Sequence, residues 1–307
     1  MRTIVITGGT DGMGAALARH FLAAGDRVVV VGRSRTKFEA LLATVADDDR
    51  SAASRAEFVA ADLSSVADSR RVAERVRADH ERIDALVLAA SFIRQRRHTT
   101  PEGHEASWVL FFVSKYLLVT GLAANLRAAG RPVVVNTAVP GARADAIDFD
   151  DLEMTEGFTF ARSNAQQRRA NELLGIRATA DDPGLTYVTW GPSRLVRSGF
   201  AGDAGTGMKV AAAVLGPLVG QRPDAAVRPI IGIIDAPSPG RAAYRGAKRL
   251  TPAAGDRDEA DAARLAAAVE PCGGRARPNG RGPAPAGEPD GRRPHHAPAR
   301  RPNRAPP

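Results

Sequence analysis

A chain of 307 residues with 44% hydrophobic and 25% charged content has enough apolar material for one large domain or two small ones, which excludes wholesale disorder. A formal charge of +9 suggests an acidic partner such as nucleic acid, but eight arginines against Glu288 and Asp290 place most of that excess in residues 271–307. Cys272 is the only cysteine, so neither an intramolecular disulfide nor a cysteine metal cluster can form; His98 and His104 have no zinc-site spacing, and no metal is expected.

The chain passes from Met1 directly into residues 3–7 without an export-type apolar stretch, so a reducing cytoplasm is the expected location. Short β-branched runs at 3–7, 27–31, 57–60, 83–89, 133–137, 186–190 and 230–234 read as strands. Between them, 12–24, 36–46, 65–79, 101–129, 160–179 and 205–220 carry helical apolar spacing. This alternation predicts an α/β fold: a doubly wound, parallel, seven-stranded sheet with helices on both faces. The apolar run 108–126 contains Lys115 and Asn125 and follows a helix-start signal, so it reads as a buried or interface helix rather than a membrane span.

After Ile234 comes a turn-rich cluster, Ala236 to Gly240, and then a closing helix is expected over 256–270. One domain over 1–270 therefore precedes a tail, 271–307, with ten prolines and no Leu, Ile, Val, Phe, Tyr or Trp. Such a segment has no apolar burial to offset the entropy of ordering, so disorder is expected. No aromatic residue interleaves its arginines, which favours a solvated extension over a nucleic-acid arm.

The strongest local signal is Thr7-Gly8-Gly9-Thr10-Asp11-Gly12-Met13-Gly14, directly after the first strand and opening the first helix. Gly8 allows the tight turn, Gly12 lets backbone N–H groups approach a pyrophosphate, and Gly14 permits close helix-to-strand packing. In this context the motif predicts a Rossmann-type dinucleotide site.

The Gly-x-x-x-Gly-x-Gly spacing with Thr7 in front resembles the short-chain dehydrogenase/reductase family, over residues 1–270. Asp62-Leu63 resembles that family's adenine contact, and Leu88-Ala89-Ala90-Ser91 resembles a degraded form of its Asn-Asn-Ala-Gly strand end. Thr100 to Ala106 resembles the start of the fourth helix in the retinol-dehydrogenase branch. The resemblance implies strand order 3-2-1-4-5-6-7 and a possible homodimer through the fourth and fifth helices, with the apolar run 108–113 suited to the interface. Cofactor choice is read at Gly32-Arg33-Ser34-Arg35. Glycine stands where an NAD enzyme places its carboxylate, and Arg33 with Ser34 can bind the 2′-phosphate of NADP(H).

At the catalytic positions the resemblance fails. The family uses an Asn in the fourth helix, a Ser after the fifth strand and a Tyr-x-x-x-Lys pair in the fifth helix. Here Phe111, Val139, Asn164 and Arg168 stand at those positions, and no tyrosine lies between Tyr116 and Tyr187. Arg168 can bind ribose hydroxyls but is a poor proton shuttle, and Asn164 can donate a hydrogen bond to a carbonyl oxygen. Thr137, Ser163 and Gln167 are substitute candidates near the pocket, and Ser91 sits at a strand end; each is equally explained as a cap or packing residue, as His98 and His104 are by exposure. Pro192 keeps part of the family's turn after the sixth strand, Ser198 is a candidate contact to the carboxamide or pyrophosphate, and 194–222 reads as a substrate lid or a flexible connector.

The sequence thus points to an atypical NADP(H)-dependent oxidoreductase acting on a carbonyl or alcohol of a small apolar metabolite. The alternatives are a non-redox cyclase, dehydratase or isomerase on the same fold, and a silent NADP-binding regulator.

Overall fold

The valine- and isoleucine-rich runs lie side by side because each is apolar on both faces and each is followed by a helix that returns the chain to the same sheet edge. The computed structural model describes residues 1–46, 49, 51–196, 202–203 and 220–273. Its first half runs β1 (Thr3–Thr7), α1 (Gly12–Ala23), β2 (Arg27–Gly32), α2 (Arg35–Ala46), α3 (Ala52–Arg55), β3 (Ala56–Ala60), α4 (Val66–Asp79), β4 (Ala85–Leu88) and β5 (Ile93–Arg94). There follow α5 (Ala106–Trp108), a π-helical turn (Val109–Val113), α6 (Ser114–Gly121), α7 (Ala123–Arg127), β6 (Val133–Asn136), α8 (Phe160–Asp181), β7 (Thr186–Gly191) and β8 (Gly202–Asp203). The last elements are α9 (Pro223–Ala226), α10 (Arg228–Asp235), β9 (Gly240–Arg245), β10 (Lys248–Leu250) and α11 (Asp258–Gly273).

The main sheet has eight strands in the order β10-β9-β7-β6-β4-β1-β2-β3. All pairs are parallel except the β9–β10 hairpin at the edge, so the expected doubly wound sheet is present with one strand more than expected. Alternate residues face opposite sides. Val5, Val29, Leu86 and Val134 pack with α4, α6 and α8 on one face, while Ile4, Ile6, Val30, Val87 and Val135 pack with α1, α2 and α10 on the other.

One expectation is corrected. Residues 230–234 form no strand: Ile230 and Ile234 lie one helical turn apart in α10, both buried, with Pro229 near its start. The strand is instead Gly240–Arg245, which gains its ladder by pairing with β7. In the run 108–113, Trp108, Val109, Leu110, Phe112 and Val113 are buried within this one chain. Beside it, α11 adds Leu265, Ala266 and Val269 to the same core and is tied to α8 by the Arg169–Asp258 ion pair.

The closing helix runs to Gly273, past the expected boundary, and Met1–Gly274 forms one compact unit. The rest of the expected tail, residues 274–307, lies outside the described residues, as does the expected helix over 205–220 apart from Gly220. Among the described residues no helix is long and apolar enough to cross a membrane, and no group of His, Cys, Asp and Glu could hold a metal.

Candidate functional site

The glycine turn forms a cradle because a side chain would not fit in it. A Cβ on Gly8 would lie 2.7 Å from Ala90 Cα, and one on Gly14 would lie 2.3 Å from the carbonyl oxygen of Gly8. Gly8 and Gly12 also take φ of +66° and +52°, the left-handed region that favours glycine. Asp11 caps α1 by accepting the N–H of Gly12 and pairs with Lys37 from α2. The first turn of α1 thereby points its free N–H groups into a cleft of about 360 Å³.

Gly8, Thr10, Gly12, Met13, Gly14, Arg33, Ser34, Asp62, Leu63, Ala89 and Ala90 all line this cleft. Thr7 does not. Its side chain is buried, accepting the N–H groups of Ala89 and Ala90 at 3.0 and 3.2 Å, so it ties the ends of β1 and β4 together. Gly32 has a concrete reason to be glycine: a Cβ there would meet Thr10 Cγ2 at 3.0 Å.

Arg33 is exposed, and its guanidinium lies 5.0 Å from the Phe92 ring centre. Across the cleft, burial raises the Asp62 carboxyl, but hydrogen bonds from Ser64 and the charges of Arg33 and Arg94 outweigh it and hold Asp62 below the usual range.

The catalytic candidates lie elsewhere and are largely engaged. Arg168 donates from Nε to the Val139 oxygen at 2.6 Å and from Nη2 to the Pro140 oxygen at 2.8 Å, so it clamps the turn after β6 instead of standing free for a ribose. Burial first, then the charge of Arg245, lowers its pKa. Ser163 is buried and accepts from Gln167 Nε2 at 2.6 Å, one turn along α8. Thr137 donates to the Leu88 oxygen. Asn164 makes no side-chain hydrogen bond among the described residues. Pro192 follows β7 at the same sheet edge without lining the cleft. Ser198 lies outside the described residues, as do 197–201 and 204–219 of the expected lid.

A buried polar cluster that sequence reasoning missed joins α6, α8, β6 and β7. Lys115 Nζ donates to Asn136 Oδ1 at 2.8 Å; Asn136 Nδ2 donates to Asn171 Oδ1 and to the Tyr187 hydroxyl at 2.6 and 2.9 Å. Asn171 Nδ2 in turn donates to the carbonyl oxygen of Phe111, within the π-helical turn. Burial pushes the Lys115 amine down to about 7 and raises the Tyr187 phenol above its ordinary value. Lys115 stood out in the sequence only as a charge inside an apolar run.

Residues 2–145 match the model of the short chain dehydrogenase family. Over those residues, slightly under half of its length, the chain is similar to that family. It is 28% identical to retinol dehydrogenase 13 of Mus musculus over 151 residues, covering 49% of this chain and 45% of that protein. It is 28% identical to the oxidoreductase calI of Penicillium decumbens over 207 residues, covering 61% and 59%. The chain spans 66%, 45% and 53% of the first three curated relatives' lengths. Among solved structures, the short-chain dehydrogenase from Sphingobium yanoikuyae in complex with NADPH superposes with a TM-score of 0.56 at 22% identity, covering 76% of this chain and 84% of that one. That likeness establishes the fold.

Proposed function

We propose that this chain is a short-chain dehydrogenase that binds NADP(H) and acts in the cytoplasm on the carbonyl or alcohol of a small, largely apolar metabolite, through an active site lacking that family's Asn, Ser, Tyr and Lys. The observation that carries the cofactor reading is the cleft: a glycine cradle too tight for any side chain, opening toward Arg33, which has no ion-pair partner among the described residues. Thr10 fills the space where an NAD-selecting carboxylate would sit, and Lys37 neutralises Asp11 at the mouth. Two of its relatives, a short-chain dehydrogenase in complex with NADPH and a retinol dehydrogenase, agree with this reading.

When bound, the nicotinamide supplies or accepts the hydride. Asn164, which makes no side-chain hydrogen bond among the described residues, donates to a carbonyl oxygen as charge develops on it, and it moves no proton. Arg168 acts as a positioning residue, holding the Val139–Pro140 turn. The engagement of Arg168, Ser163 and Thr137 favours one other reading, a protein that binds NADP(H) without turning it over.

The test is to incubate the protein with NADPH and a panel of ketones and quinones while following nicotinamide absorbance. Slow consumption, strongest with quinones, is expected. Asn164→Ala should then lower kcat by about tenfold to hundredfold with NADPH affinity unchanged. Binding without consumption supports the regulator reading, and a product formed without net redox change supports a cyclase or isomerase. Arg33→Ala should weaken NADPH binding by about 1.5–3 kcal/mol, roughly tenfold to a hundredfold, and leave NADH binding unchanged. Equal losses for both cofactors reject the assigned role.

A further inference from the structure

Two guanidinium groups approach one aromatic ring at the adenosine end of the cleft. Arg33 leaves the end of β2, and Arg94 lies in β5 two residues beyond Phe92, which puts both of those side chains on one side of the strand. Their Cζ atoms lie 5.0 and 4.7 Å from the Phe92 ring centre. The loop carrying Phe92 and Arg94 is pinned beside Asp62: Glu102 accepts the N–H groups of Val66 and Ala67 at 2.7 and 2.9 Å and the Ser65 hydroxyl at 2.9 Å.

Neither arginine forms an ion pair among the described residues, and Nη1 of Arg94 is enclosed by protein without any acceptor. An enclosed donor on a charged group is costly to leave unpaired, and two cations held against one ring repel each other. Asp62 and Glu105 compensate only at longer range, and Asp62 Oδ1 already accepts from Ser64. The arrangement lacks an anion with several acceptor oxygens, which is the chemistry of a phosphate.

We propose that Arg94 is the second guanidinium of the 2′-phosphate site, closing on that group together with Arg33 while Phe92 serves as the platform for both. This rests on the NADP(H) reading above. A cation arriving from β5 makes selectivity depend on the loop after β4 as well as on the end of β2.

The test is equilibrium binding of NADPH, NADH, 2′,5′-ADP and 5′-AMP to the full chain and to Arg33→Ala, Arg94→Ala, Arg94→Gln and the double alanine variant. Melting temperatures check that each variant is folded, and Arg94→Gln keeps much of the aliphatic stem on Phe92. Each Arg94 variant is expected to lose about tenfold in affinity for NADPH and 2′,5′-ADP and nothing for NADH and 5′-AMP. The double variant should no longer distinguish the two dinucleotides. Unchanged NADPH affinity in the Arg94 variants, or equal losses for NADPH and NADH, overturns the proposal. Preference lost in Arg33→Ala but kept in Arg94→Gln removes this inference and leaves the cofactor reading standing; a wild-type protein indifferent between NADPH and NADH removes both. If inorganic phosphate raises the melting temperature of that indifferent wild type but not of Arg94→Gln, the pair is a free-anion site and the proposal falls.

Discussion

Gly14→Ala is expected to eliminate measurable NADPH binding and to lower the melting temperature by roughly 5–10 °C. The added Cβ would lie 2.3 Å from the Gly8 oxygen and 2.8 Å from its carbonyl carbon, and both belong to backbone that the β1–α1 turn fixes. No flexible side chain can move aside, so relief requires α1 to shift away from β1. That shift also turns the free N–H groups of the first helical turn away from the cleft, coupling the stability loss to the binding loss. The same substitution at Gly130, where nothing lies within 4 Å and φ is not left-handed, should change neither quantity. Thermal melts and NADPH fluorescence titrations of the two variants check this. A Gly14→Ala protein that binds NADPH normally would show that the turn does not form the cofactor cradle.

The parts of the fold legible in the sequence are those fixed by local physics. Val28 to Val31 is apolar on both faces, so burial under two helical layers was readable before any partner was known. The glycine turn was readable because a strand, a tight bend and a helix start each leave residues of their own kind. Residues 230–234 misled because β-branched composition is shared by buried strands and by one face of a buried helix. The short sequence gives no periodicity long enough to decide, and strand formation in Gly240–Arg245 comes from its register against β7, with Trp190 opposite Tyr244. The site divides the same way. The glycines and Arg33 carry local signals, and they line the cleft. Arg168 and Ser163 were expected beside the substrate, yet Arg168 meets the Val139 and Pro140 carbonyls of a loop packed against α8, and Ser163 accepts from Gln167 one turn along the same helix. Arg94 carries no local signal in the sequence, because only the folded chain brings it to the ring that Arg33 also touches.

Lys115→Met is expected to stabilise the protein at pH 6.5 and to flatten the dependence of its stability on pH between about 7 and 10. Lys115 is buried, and among the described residues no carboxylate hydrogen-bonds it and its amine has only the neutral oxygen of Asn136 at 2.8 Å and the Phe111 ring 5.9 Å away. Burial pushes its pKa from 10.5 down to about 7. The folded chain therefore releases this proton near neutrality, whereas the unfolded chain keeps it until about pH 10.4. Between those limits the unfolded state binds more protons, so stability rises with pH; below about 7 both states are protonated and the cost of burying the charge is constant. Moving from pH 10 to pH 7 should remove stability on the order of 4 kcal/mol from this group. Tyr187, hydrogen-bonded into the same cluster, has its pKa raised and so contributes stability that is lost above pH 10, which sets the upper end of the window. Methionine fills similar volume without a charge, and Asn136 Oδ1 still accepts the N–H of Ala138 at 3.1 Å, so the substitution leaves no new unpaired acceptor. Denaturant melts of both proteins at pH 6.5, 8 and 9.5 read the effect directly. Parallel curves for the two would mean that the amine stays charged in the folded chain, and would remove Lys115 as the source of the pH dependence.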